Sequence, residues 1–138
     1  MKYPIAVLAL VLAVCGASCT KKTTLQESQE GDVIPQAIPI VRLLEAVKNS
    51  DVEALKTVWS EHLISQINPS GADELWGKIL DSYQQVFEQE FGEYEITDFK
   101  FEFKGDVEKG KVVIIFKDEK EPALLVVKEG NEWKVNER

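Results

Sequence analysis

At Gly92 the spacing of apolar residues changes from helical to alternating, and that change limits the chain to few architectures. From about Ala72 to Phe91, the residues Leu75, Trp76, Ile79, Leu80, Tyr83, Val86, Phe87 and Phe91 trace one broad stripe of a long helix. Gly92 is the natural stop, because glycine accepts the left-handed backbone that closes a helix. Beyond it, Phe99, Phe101 and Phe103 fall on one face of a strand and Lys100, Glu102 and Lys104 on the other. Tyr94 and Ile96 have the opposite parity to the phenylalanines, so a bulge or bend is expected around Thr97-Asp98. Helices and strands segregated along the chain build an α+β domain and exclude a doubly wound parallel sheet.

Two shorter helices are expected upstream. Pro39 suits a first helical turn, and Ile40, Val41, Leu43, Leu44 and Val47 recur at helical spacing. Ser50-Asp51-Val52-Glu53 has the spacing of a capping box, which predicts a second helix presenting Leu55, Val58, Trp59 and Leu63 before the turn-forming Asn68-Pro69-Ser70-Gly71. Downstream, Gly105-Asp106 and Lys109-Gly110 mark a turn, Val112–Phe116 and Ala123–Val127 read as strands, and Glu129-Gly130-Asn131 leads into a last strand with Trp133 and Val135. The expectation for residues 36–138 is three N-terminal helices packed on a curved four-stranded antiparallel sheet.

The first 18 residues read as a lipoprotein signal peptide. Lys2 forms a thin positive region, the apolar run Ile5–Val14 is too short to span a bilayer, and Gly16-Ala17-Ser18 puts small residues before Cys19. The pattern resembles a bacterial lipobox, which implies cleavage and acylation with palmitate-type chains at Cys19. The residues leave two alternatives open: Leu12-Ala13-Val14-Cys15 makes Cys15 a second candidate for the lipid, and an ordinary secretory cut near Ala17 would release an unmodified protein. Each buried lipid methylene contributes about 0.8 kcal/mol, so two or three acyl chains hold a protein on a membrane. Residues 19–35, rich in Thr, Lys, Gln, Glu and Ser, read as the lipid anchor and a flexible tether about 20 Å long. The expected location is the cell envelope: the outer membrane facing the periplasm in a Gram-negative cell, otherwise the outer face of the plasma membrane.

The formal charge of -8, made more negative if Lys2 leaves with a leader, argues against a nucleic-acid partner. Both cysteines lie in the leader region, so no disulfide is expected within the domain, and a single histidine with scattered carboxylates suggests no metal site and no cofactor. His62 is the one acid/base candidate with a neutral-range side chain; its place near a helix end fits capping or solvent exposure better than catalysis. Glu88, Glu90, Glu93 and Glu95 form a local acidic cluster that reads as a solvated turn.

The closing phrase Leu124-Leu125-Val126-Val127-Lys128-Glu129-Gly130-Asn131-Glu132-Trp133-Lys134-Val135 resembles the final hairpin of the nuclear-transport-factor-two-like, or cystatin-like, superfamily. Ala46-Val47-Lys48-Asn49-Ser50-Asp51-Val52-Glu53-Ala54-Leu55 is similar to that superfamily's first helix junction. With the lipobox, the chain resembles small bacterial lipoproteins grouped under a domain of unknown function. The resemblance implies a cone-like fold with a hollow between sheet and helices. Its enzymatic members, ketosteroid isomerases, scytalone dehydratases and polyketide cyclases, place acid/base residues in that hollow, and no such constellation aligns here.

Trp59, Trp76, Tyr83, Phe87 and Phe101 are therefore the candidate pocket residues, with ordinary core packing as the competing account. Three classes of function stay open: a membrane-anchored, non-catalytic module binding a small apolar ligand or an envelope protein; an enzyme of isomerase, dehydratase or cyclase type; and a structural unit assembling as a homodimer.

Overall fold

The computed structural model describes residues 24–27 and 33–137; the leader with Cys15 and Cys19 lies outside them. The elements run β1 (Thr24–Glu27), α1 (Ile38–Asn49), α2 (Val52–Lys56), α3 (Glu61–Ile67), α4 (Asp73–Phe91), β2 (Phe99–Gly105), β3 (Lys109–Phe116), β4 (Glu119–Lys120), β5 (Leu124–Glu129) and β6 (Glu132–Glu137). Single 3₁₀ turns at Pro35–Ala37 and Ile96–Asp98 precede α1 and β2. Among the described residues the architecture is α+β, with four α-helices and not three, and with an antiparallel sheet in the order β1-β2-β3-β5-β6 and not four strands; β4 adds two residues alongside β3. Thr24–Glu27, inside the stretch read as tether, pairs with β2.

In α1, Pro39 sits in the first turn, where its missing N–H has no intrahelical acceptor to lose. Ile40, Leu43, Leu44 and Val47 form the buried stripe. The helix closes on Ser50, whose φ of 54° is left-handed. Ser50 is thereby spent as the end of one helix and does not start the next. Asp51 does that, accepting the Ala54 N–H at 3.0 Å with a carboxylate suited to the positive helix end.

The single helix expected after it is divided into α2 and α3 by a connector at Thr57–Ser60, where Trp59 bridges to Val135 of β6. Val135 of β6 donates its N–H to the Val58 carbonyl (2.9 Å) and accepts from Ser60 N–H (2.8 Å). A continuous helix needs those same backbone groups for itself, so the strand edge and the helix compete, and the strand wins. Ser60, fully buried, then caps α3 by accepting from Leu63 N–H at 3.1 Å and donates its hydroxyl to Asn136 Oδ1 at 2.6 Å.

The long helix α4 matches its stripe, with Trp76 and Leu80 buried. Asn68 holds the preceding loop, accepting from Ala72 N–H and donating to the Ala72 carbonyl. Gly92 ends the helix at φ 63° and ψ -137°, a backbone that only glycine adopts without strain.

Phe99, Phe101 and Phe103 point into the core from β2, joined by Val112 and Ile114 of β3, Val126 of β5 and Trp133 and Val135 of β6. The parity change before β2 is made by the 3₁₀ turn at Ile96–Asp98, where Glu95 and Asp98 cap each other's backbone, and not by a bulge. The bulge of this sheet lies between Leu125 and Val126. Tyr94 is buried as well, and its hydroxyl donates to the Leu44 carbonyl at 2.6 Å, tying this turn to α1. Among the described residues no helix is long and apolar enough to cross a membrane.

Candidate functional site

α1 and α4 do not close completely over the sheet. Between them lies a cavity of about 560 Å³, within the range of small-molecule sites. α1 contributes Ile40, Leu43 and Leu44; the α2–α3 connector contributes Trp59; α4 contributes Tyr83, Val86, Phe87, Glu90 and Phe91; and Ile114, Glu121, Pro122 and Leu124 line the sheet side. Each helix supplies these residues from one stripe because positions three and four apart share a face.

Aromatic contacts organise the wall. Trp59 stacks on Tyr83 with centroids 5.7 Å apart and planes at 27°, Tyr83 meets Phe87 edge-on at 5.6 Å, and Phe87 meets Phe91 at 5.3 Å. Tyr83, Phe87 and Phe91 follow one another at the i, i+4 spacing of α4. Phe91 continues the row onto the sheet, 5.1 Å from Phe99 and 4.8 Å from Phe116. Behind the Trp59–Tyr83 stack is a smaller hollow of about 220 Å³, lined also by Leu63, Ile67, Leu75 and Ile79.

Few polar groups reach the main cavity. Glu90 is exposed and Glu121 half-buried on its lining, and Trp59 carries a buried indole N–H with no acceptor among the described residues. A buried donor left unsatisfied costs about 1–3 kcal/mol, a cost that falls on the Trp59 indole N–H. The phenol of Tyr94, behind Phe87 and Phe91, is pushed up to about 12 by burial.

Of the residues singled out from sequence, Trp59, Tyr83 and Phe87 line this cavity, while Trp76 and Phe101 lie in the packed core, 5% and 1% exposed, outside its lining. Ile40, Leu43 and Leu44 complete the site although their spacing marks them only as a buried face. Ile114 and Leu124 belong to alternating strands, a pattern that does not distinguish a cavity wall from solid core.

His62 is exposed at the N-terminal end of α3, with its ring 3.2 Å from Gln66 Nε2 and away from the cavity. The glutamate cluster is divided: Glu90 faces the aromatic cavity, whereas Glu88, Glu93 and Glu95 border a separate groove. There Lys48 bonds both Glu95 and the Tyr94 carbonyl at 2.8 Å. No group of three or more His, Cys, Asp or Glu side chains is placed to hold a metal ion among the described residues. No protein family, curated protein or solved structure matches this chain.

Proposed function

We propose that this chain is a lipid-anchored cell-envelope protein with a nuclear-transport-factor-two-like, or cystatin-like, domain that binds a small apolar molecule between α1, α4 and the sheet. The observation that carries the binding function is the cavity of about 560 Å³, lined by aliphatic and aromatic side chains with Glu90 and Glu121 as its only carboxylates. An apolar wall with few polar groups selects a mainly hydrocarbon ligand. The antiparallel sheet following the long helix supports the fold assignment, and the small residues before Cys19 support the anchor. The location follows from the anchor: the periplasmic side of an outer membrane, or the outer face of a single plasma membrane.

Two measurements test this. Intact-mass analysis of the native protein should show an acyl-bearing N-terminal Cys19; a chain unmodified at both Cys19 and Cys15 refutes the anchor. For binding, the acyl-free chain with Cys15→Ala and Cys19→Ala is titrated with N-phenyl-1-naphthylamine. One saturable site is expected, lost in Leu124→Trp, which fills the cavity from β5 while the far-ultraviolet circular dichroism stays unchanged. Saturable binding that survives Leu124→Trp, or no binding in the parent, removes the cavity from consideration.

A further inference from the structure

On the face of the sheet turned away from the core, lysines surround a short aliphatic strip. The strand register sets Lys104 directly opposite Lys111, Lys111 opposite Leu125, and Lys109 opposite Val127. The three lysines are exposed, while Leu125 and Val127 are half-buried, as are their neighbours Val113 and Ile115. No salt bridge reaches Lys104 or Lys111 among the described residues. Like charges directly opposite in a ladder disfavour the sheet, so folding gives no reason for this pair. Nearby carboxylates are partly engaged: Glu102 lies 3.9 Å from Lys120, and Asp106 accepts from the backbone N–H groups of Glu108 and Lys109 at 2.8 and 3.0 Å. Asp106 and Glu108 are both exposed in the turn. At its tip Val107 is 73% exposed, a large apolar side chain presented at the same end.

The helical layer has the opposite character. Over residues 33–98 the only cations are Arg42, Lys48, Lys56 and Lys78, against twelve carboxylates. Chain length keeps an anchor at Cys19 or Cys15 within reach of this end of the sheet. Thr24, the first residue of β1, pairs with Gly105, next to Lys104. Cys19 precedes Thr24 by five residues, which span at most about 18 Å, and from Cys15 the reach is about 32 Å.

We propose that this lysine-rimmed outer sheet face, centred on Lys104 and Lys111, rests on an anionic lipid surface. The inference depends on acylation at Cys19 or Cys15. The lipid then sets the distance and the lysines set the orientation, with the acidic helical layer and its aromatic cavity turned to the aqueous side. A second copy of the chain fits this face less well, because a two-fold interface opposes a patch to itself and would set lysines against lysines.

The test uses the full acylated protein in vesicles of phosphatidylcholine alone or with phosphatidylglycerol. Lysines are briefly acetylated and mapped by mass spectrometry. An anionic surface attracts each nearby lysine about fivefold, so Lys104, Lys109 and Lys111 should react at least about fivefold more slowly in the anionic vesicles, with the protection lost in high salt. Lys78 on α4 should label equally in both. The double variant Lys104→Glu, Lys111→Glu should stay on both vesicles through its anchor yet lose the protection of Lys109. Equal labelling of the three lysines on both vesicles, with the protein still sedimenting, overturns the docking face and leaves the anchor standing. Failure to sediment with phosphatidylcholine vesicles overturns acylation, and the docking face with it. Protection on phosphatidylcholine that rises with protein density identifies a second copy as the occupant and overturns the lipid assignment.

Discussion

Replacing Ser60 by alanine tests how the two layers are joined. The hydroxyl caps α3 at Leu63 N–H and donates to Asn136 Oδ1 at 2.6 Å, within a connector already paired to Val135. Loss of the cap costs about 1 kcal/mol, and stranding the part-buried Asn136 oxygen about 1 kcal/mol more. The sum of about 2 kcal/mol lowers the thermal midpoint by roughly 10 °C in a domain of this size and the urea midpoint by about 1–2 M, at unchanged m. Asn136→Ala keeps the cap and should cost only about 1 kcal/mol. In the double variant the second change should add almost nothing, giving a coupling energy near 1 kcal/mol from equilibrium urea unfolding. Single effects that add within about 0.3 kcal/mol, or a Ser60→Ala cost below about 0.5 kcal/mol, would refute the idea that one hydroxyl links α3 to β6.

Tyr94 supplies a pH signature. Its folded value of about 12 lies above the ordinary 10.0, so its contribution is intact below pH 10 and is lost as pH rises from 10 to 12, with a slope of up to about 1.4 kcal/mol per pH unit. Tyr94→Phe should cost about 1 kcal/mol at neutral pH through loss of the bond to Leu44, and its urea midpoint should fall less steeply above pH 10; equal slopes would refute the assignment. Gly110→Ala should destabilise by about 2–3 kcal/mol, since a Cβ there meets the Phe103 ring at 2.5 Å and the Lys104 carbonyl oxygen at 2.6 Å. Gly77→Ala, with nothing within 4 Å in the interior of α4, should stabilise by about 1 kcal/mol. Thermal unfolding checks both, and a neutral Gly110→Ala would show that β2 and β3 separate easily at that end.

Local pattern located the parts whose environment is one apolar layer and one solvated layer. The stripe from Leu75 to Phe91 placed α4 to within a residue of its start, and the Phe99, Phe101, Phe103 alternation identified both β2 and its buried face. Turn chemistry was legible at Asp106 and at Gly130, whose φ is 62°. It was not legible at Lys117-Asp118, where two non-glycine residues take left-handed backbone to start the short β4 pairing. Aspartate tolerates that backbone but lysine is a poor former of it, and the turn is closed by pairing on β3.

For the site, sequence periodicity determined which faces are greasy, because the 3.6-residue and two-residue repeats are properties of the chain itself. It could not determine what lies across from each face. Trp59 and Trp76 look equivalent in the sequence, yet one lines a cavity and the other fills the core. The difference arises where Val135 takes the backbone groups of Val58 and Ser60 and holds that connector against β6, which places Trp59 on Tyr83. Competition for backbone hydrogen bonds between segments some 75 residues apart is settled only when the layers meet.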